Sequence, residues 1–335
     1  MNRIAKLALA CSLSATFVVP AVAHHSAAAF NTTQEIKVTG SVSVYNFKNP
    51  HVYLTLSVKN PDGTTTMMDV EAGAASVLNP LGFTKDSLKV GDVVTITGNP
   101  SRNNPTKMML GKDLLKNDGT YYPLNIASRS VYKPTDQVAT TIAGTWFSDR
   151  TAFTRFLGGA RGWAVTEKGR GAGPVDPKAT TQKDCIPIGE PALMFYPVAR
   201  TIKVEKDRVI LDVDWMDSER TVYLDGRQHP PATQTTLHGH SVGRWEGKTL
   251  IVETTNFKEH ANGLSTNLAS SAQKKVTERF ALSPDGKSLL YSGSVEDPVF
   301  ISKPIEFTGT WEYRPTMPHS NQKCDVEIAR KFLLD

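Results

Sequence analysis

Cysteine is scarce in this 335-residue chain: Cys11, Cys185 and Cys324 are all there are. So few, so far apart, exclude a disulfide-dense miniature fold and match no zinc-ligand spacing. Long apolar runs are also missing. After the first two dozen residues no stretch approaches the ~20 residues needed to cross a bilayer. Charge of one sign is absent too. Lys and Arg number 38 against 33 Asp and Glu, a formal net charge of +5, with no basic run. That balance leaves no electrostatic case for nucleic acid as a partner. The glycine-rich stretch 158–173 lacks the preceding strand, the following helix and the terminal Lys-Ser/Thr of a phosphate cradle, and reads as a mobile loop. Gly239-His240-Ser241-Val242-Gly243 matches Gly-X-Ser-X-Gly only on paper. Its surroundings read as strands, not the strand-turn-helix elbow of a serine hydrolase.

What is present begins with the leader MNRIAKLALACSLSATFVVPAVA. Arg3 and Lys6 make a basic start, residues 7 to 19 are mostly apolar, and Ala21-Val22-Ala23 is a small-X-small cleavage site. The pattern predicts a signal peptide over 1–23 and a mature chain of 312 residues beginning at His24. A buried first helix and a lipoprotein signal ending at Cys11 are the rival readings. Export places the mature chain in the periplasm or outside the cell, without a transmembrane segment. Cys11 leaves with the leader, so Cys185 and Cys324 are expected to form a disulfide in an oxidising compartment; free thiols or a cysteine ligand are the alternatives.

Period-two alternation in EIKVTGSVSVYNF and HVYLTLSV predicts strands, with Asn60-Pro61-Asp62-Gly63 as a turn. Five such strands with one short helix after the third suit a small barrel of the oligonucleotide/oligosaccharide-binding (OB) type over 24–125. The polar stretch 126–140 reads as a linker. Beyond about residue 200, strand pairs meet at tight turns such as Pro284-Asp285-Gly286. An all-β second domain over 141–335 follows, a larger antiparallel up-and-down barrel rather than a sandwich. Val326, Ala329 and Leu333 predict a short C-terminal helix packed outside that barrel.

Several segments are familiar. HHSAAAF, VTGSVSVYNFKNPHVYL and LKVGDVVTITGNP resemble a family of uncharacterised bacterial secreted domains that open on His-His-Ser and carry Asn-Pro-His on the second strand. YLDGRQHPP, GHSVGRWEGKTLIVETTNF, VTERF and VEDP resemble a second uncharacterised family. Gly144-Thr145-Trp146 is similar to the Gly-X-Trp start of lipocalin-type barrels. Neither resemblance implies an activity.

Two groups of residues carry chemistry. His24, as the first mature residue, offers an α-amine and an imidazole to one ion, and His25 and His51 add ring nitrogens. Such nitrogen-rich sets suit Cu(II) better than zinc. The second group is Asp225, Arg227, His229, His238, His240, Arg244, Trp245 and Glu246, with Glu253 close behind. His238 and His240 lie two apart, so a strand would put both on one face. There they can act as ligands, or as base and orienter, with Arg244 gripping an anion. In that reading His238, His240 and Arg244 are catalytic, and Asp225, Arg227, His229, Trp146, Trp245 and Glu246 line a ligand site.

The expected function is a periplasmic or secreted binding protein for a metal, copper foremost, for a small hydrophobic ligand, or for both. An enzyme acting on a hydrophobic small molecule at the larger barrel's mouth, and a structural or interaction module without a site, are the alternatives. A larger barrel filled by bulky side chains would favour the last.

Overall fold

A computed structural model describes residues 29–126, 135–148, 150–159, 162–171, 181–266 and 268–331. The leader, His24, His25 and most of the linker lie outside the described residues.

The first unit follows its alternation. Strands β1 (Ile36–Asn46), β2 (Tyr53–Lys59), β3 (Thr65–Glu71), β4 (Val93–Pro100) and β5 (Met108–Lys116) lie in the order β3-β2-β1-β4-β5. Strand β5 pairs parallel with β3 and closes a five-stranded barrel. A short β6 (Tyr121–Pro123) adds to β5, and helix α1 (Ala75–Leu78) follows the third strand. Leu54, Leu56, Val70, Val94, Ile96 and Leu114 fill the interior. Gly63 has φ +84°, the left-handed backbone that its Pro-Asp-Gly turn demands.

The larger unit contributes β7 (Gly144–Phe147), α2 (Arg150–Gly159), α3 (Glu167–Gly171), β8 (Ala199–Val204), β9 (Arg208–Val213) and β10 (Ser218–Tyr223). It continues with β11 (His240–Glu246), β12 (Thr249–Thr255), the hairpin β13 (His260–Ser265) and β14 (Leu268–Ser270), β15 (Lys275–Leu282), β16 (Ser288–Glu296) and β17 (Ile305–Tyr313), and ends in α4 (Val326–Lys331). Nine of these strands close a second barrel, in which β17 returns to β7. The chain is therefore all-β, a five-stranded barrel followed by a nine-stranded one. One pairing departs from the up-and-down expectation. Strands β10 and β11 run parallel, because residues 224–239 carry the chain back before β11 begins. The expected mobile loop at 158–173 is also corrected in part, since α2 ends within it and α3 forms there.

The nine-stranded interior is wide, and its largest buried side chains are long ones. Trp146, Arg200, Tyr291, Phe280 and Trp311 are fully buried. The 51-residue connection from β7 to β8 closes one end. Its Phe195 stacks on Phe156 of α2 at 4.5 Å and meets Tyr291 and Phe307 edge-on. Gly309 makes room for this plug: a Cβ there would lie 2.9 Å from the Phe195 ring.

Cys185 in this plug segment is disulfide-bonded to Cys324, with Cα atoms 5.7 Å apart. The C-terminal segment that follows meets both units: Arg330 of α4 pairs with Asp184 of the plug segment, and the same strap reaches the small barrel. Asn49 of the small barrel donates to the Gln322 carbonyl and accepts from the Asp325 amide, and Ile328 of α4 clusters with Phe30, Tyr53 and Met108. The helical spacing was legible; the surface it meets is set by the strap at Cys324. No helix among the described residues is long and apolar enough to cross a membrane.

Candidate functional site

His51 stands two residues before β2, after a cis Asn49-Pro50 bond. Its Nδ1 lies 3.3 Å from Oε1 of Glu71, the last residue of β3, whose carboxylate is wholly buried. Tyr53, the register partner of Glu71, donates to Asp69 at 2.5 Å, and Thr55 Oγ1 lies within reach of both. These side chains sit on the outer face of the small barrel, because Leu54, Leu56, Met68 and Val70 take the inner one. Phe30 and Ile328 cover the Tyr53 end of that face. A carboxylate on one ring nitrogen fixes a histidine's tautomer and leaves the other nitrogen to a metal. Sequence reasoning missed Glu71, since it occupies a polar register position and only the covering segments bury it.

The larger barrel holds a chain of buried charge. Arg220 on β10 and Glu278 on β15 form a two-point ion pair at 2.6 and 2.9 Å, and Tyr291 donates to the same carboxylate at 2.9 Å. Burial and the Glu278 carboxylate push the Tyr291 hydroxyl well above its ordinary pKa. Glu190, beside the plug, meets His238 Nδ1 at 2.8 Å. Burial raises the Glu190 carboxyl, but His238, Arg220 and Lys274 more than reverse this and hold it at about 2. Lys274 donates to the carbonyls of Glu190 and Gly263 and lies over the Phe257 ring. Burial lowers its ammonium to about 8. His260, pushed to about 4 by burial and by Lys274, is neutral at physiological pH. A signal for Glu278 and Arg220 did exist. Glu278 interrupts the apolar face Val276-Glu278-Phe280 on β15, and Arg220 stands on the inward face Ser218-Arg220-Val222 of β10.

The residues expected to act together around 225–253 are divided by the fold. His238 and His240 do not share a strand face: β11 begins at His240, and Gly239, with φ +68°, turns the chain between them. His238 faces Glu190, while His240 lies on the outer surface. There His240 stacks on Tyr223, and its Nδ1 is 3.0 Å from that of His229. Arg244 is exposed and paired with Glu246, which also meets Arg279. His238, His240 and Arg244 are thus held in three different places. Asp225 and Arg227 pair in an exposed turn, with the guanidinium over Tyr223. Trp245 is 40% exposed. Trp146 is fully buried core, its Nε1 donating to the Ile142 carbonyl and its ring against Tyr313.

Among the described residues no three His, Cys, Asp or Glu side chains converge on one point, so this part of the chain brings potential ligands together only in pairs. No curated protein matches the chain. Residues 12–109, which include the small barrel through the start of β5, match the model of a family of unknown function (DUF6152).

Proposed function

We propose that this is an exported metal-binding protein of the periplasm or cell exterior, and that Cu(II) is held at the rim of the small barrel by His51 with the α-amine and imidazole of His24 and the ring of His25. The observation that carries this reading is the buried Glu71 carboxylate against His51 Nδ1. It orients the ring and leaves Nε2 as a ligand. Chain entry agrees. Phe30 packs on Tyr53, the strand partner of Glu71. His24 lies five residues before Ala29, a span of about 17 Å at full extension, so its nitrogens can reach this rim. An amine with several imidazoles is a nitrogen set of the kind tetragonal Cu(II) favours. The larger barrel serves as scaffold in this reading, since aromatic side chains and Arg200 occupy its interior.

The test is Cu(II) titration of protein recovered from the periplasm, its mass showing His24 as the first residue. One tight equivalent is expected at this rim, weakened ~10–100-fold by Glu71→Gln and at least as much by His51→Ala. It should vanish in protein that retains Met1. Affinity at this rim that is unchanged from the mature wild-type protein in either the His51→Ala variant or the Met1-bearing form would overturn the proposal.

A further inference from the structure

The outer face of the larger barrel carries a pair of imidazoles that the rim site does not use. Residues 224–239 return along the barrel and lay His229 over the start of β11, where His240 faces outward. The rings meet at 76°, and their Nδ1 atoms are 3.0 Å apart. Each ring is held from behind. His240 stacks on Tyr223, itself covered by Arg227 at 3.7 Å. His229 Nε2 faces Glu253 Oε1 at 3.6 Å, and Lys275 fixes that carboxylate at 2.5 Å. The carboxylate lies beyond hydrogen-bond distance of Nε2, so it bounds the ring's position and leaves its Nδ1 directed at His240.

We propose that His229 and His240 form a second metal site, a two-imidazole site for a divalent cation of tetragonal preference, Cu(II) before Ni(II) and both before Zn(II). The separation selects the geometry. With metal–nitrogen bonds of about 2.0–2.1 Å, nitrogens 3.0 Å apart subtend roughly 90° at a shared ion, the angle of neighbouring corners in a square plane; a tetrahedral ion needs them about 3.4 Å apart. Both rings are partly exposed, so water completes the coordination without rearrangement of the barrel. The apolar Tyr223 shelf and the Glu253–Lys275 pair limit how far the rings can swing.

The site is separable from the rim. In full-length exported protein carrying His51→Ala, Cu(II) titration followed by electron paramagnetic resonance should show one equivalent with an axial spectrum and coupling to two imidazole nitrogens. His240→Asn and His229→Asn in that background should each weaken it at least ~10-fold, because a ligand counts for no less than the groups that orient it. Glu253→Gln should weaken it less and keep the spectrum. His319→Asn is the control. That ring is held elsewhere, by Thr201 and Asp212, and its loss should change nothing. Melting temperatures of all variants exclude misfolding as the cause. Two results overturn the proposal: copper affinity unchanged by His240→Asn, which would make the short contact a shared hydrogen bond and nothing more, or equal losses in the His319→Asn and His240→Asn variants, which would make binding diffuse. The rim reading stands or falls separately, on His51 in protein whose His229 and His240 are intact.

Discussion

The two barrels solve the problem of burying charge in opposite ways. The five-stranded barrel is narrow, and its core is apolar, mostly aliphatic residues such as Leu54, Val70 and Ile96 with Phe47 and Phe83. Its buried carboxylate, Glu71, lies outside the barrel wall, under segments folded back over that face. The nine-stranded barrel is too wide for aliphatic residues alone, since barrel diameter grows with strand number. It takes tryptophans, a tyrosine and a whole ion pair, Arg220–Glu278, inside. The lesson is that strand count decides where charge can go. In the narrow barrel it is left at the rim, where a ligand can reach it; in the wide one it becomes part of the core.

The largest expected effect tests the internal pair. Arg220→Met strands the Glu278 carboxylate with Tyr291 as its remaining strong partner, and breaking a buried pair on one side costs about 3–5 kcal/mol. All five tryptophans lie beyond residue 140, so their fluorescence reports on the larger barrel alone. Its urea midpoint should fall steeply, while amide exchange in β1–β5 keeps its protection. Replacing both partners, Arg220→Met with Glu278→Leu, should recover most of the loss. If β1–β5 lose protection together with the tryptophan signal, the barrels unfold as one unit and the contrast between them has no energetic meaning.

How far the contrast was legible in the sequence differs by residue. The strands were readable because alternation and Pro-Asp-Gly turns are local. Glu278 and Arg220 were readable in principle, as charges in inward-facing registers. Glu190 was not. Its partner His238 is 48 residues away, and the segment between β7 and β8 that carries Glu190 shows no strand period. His238 and His240 were misread as one face because the start of β11 turns on a single positive-φ glycine. The C-terminal helix had readable spacing, but its second neighbour, the small barrel, was not readable, since local pattern does not encode which surfaces a disulfide-tied strap crosses.

Acid should separate the barrels next. The ordinary pKa of His260 is 6.5, and in the folded chain it is about 4. The unfolded chain therefore takes up the proton first. Stability is fully present above pH 6.5 and is lost as pH falls towards 4, by about 3 kcal/mol over the whole interval. Glu190 acts in the same direction lower down, between its ordinary 4.5 and about 2. Tryptophan-detected melting should drop between pH 6.5 and 4, and His260→Asn should flatten that fall, because an Asn oxygen can still accept from the Asn262 amide. An unchanged slope in the variant would mean that acid acts elsewhere in the larger barrel.

The smallest effect belongs to the small barrel's outer face. Tyr53→Phe removes one donor to Asp69 without opening a cavity, since the ring stays packed between Phe30, Met108 and Ile328. Thr55 Oγ1, 2.9 Å from the same carboxylate oxygen, still offers a donor, so the loss should be about 1–2 kcal/mol. Exchange protection in β2 and β3 should fall while the tryptophan midpoint stays in place. Charge on an outer face is cheap to disturb because the apolar interior beneath it does not depend on it. A drop as large as that from Arg220→Met would show that this network, like the one in the larger barrel, is built into the core.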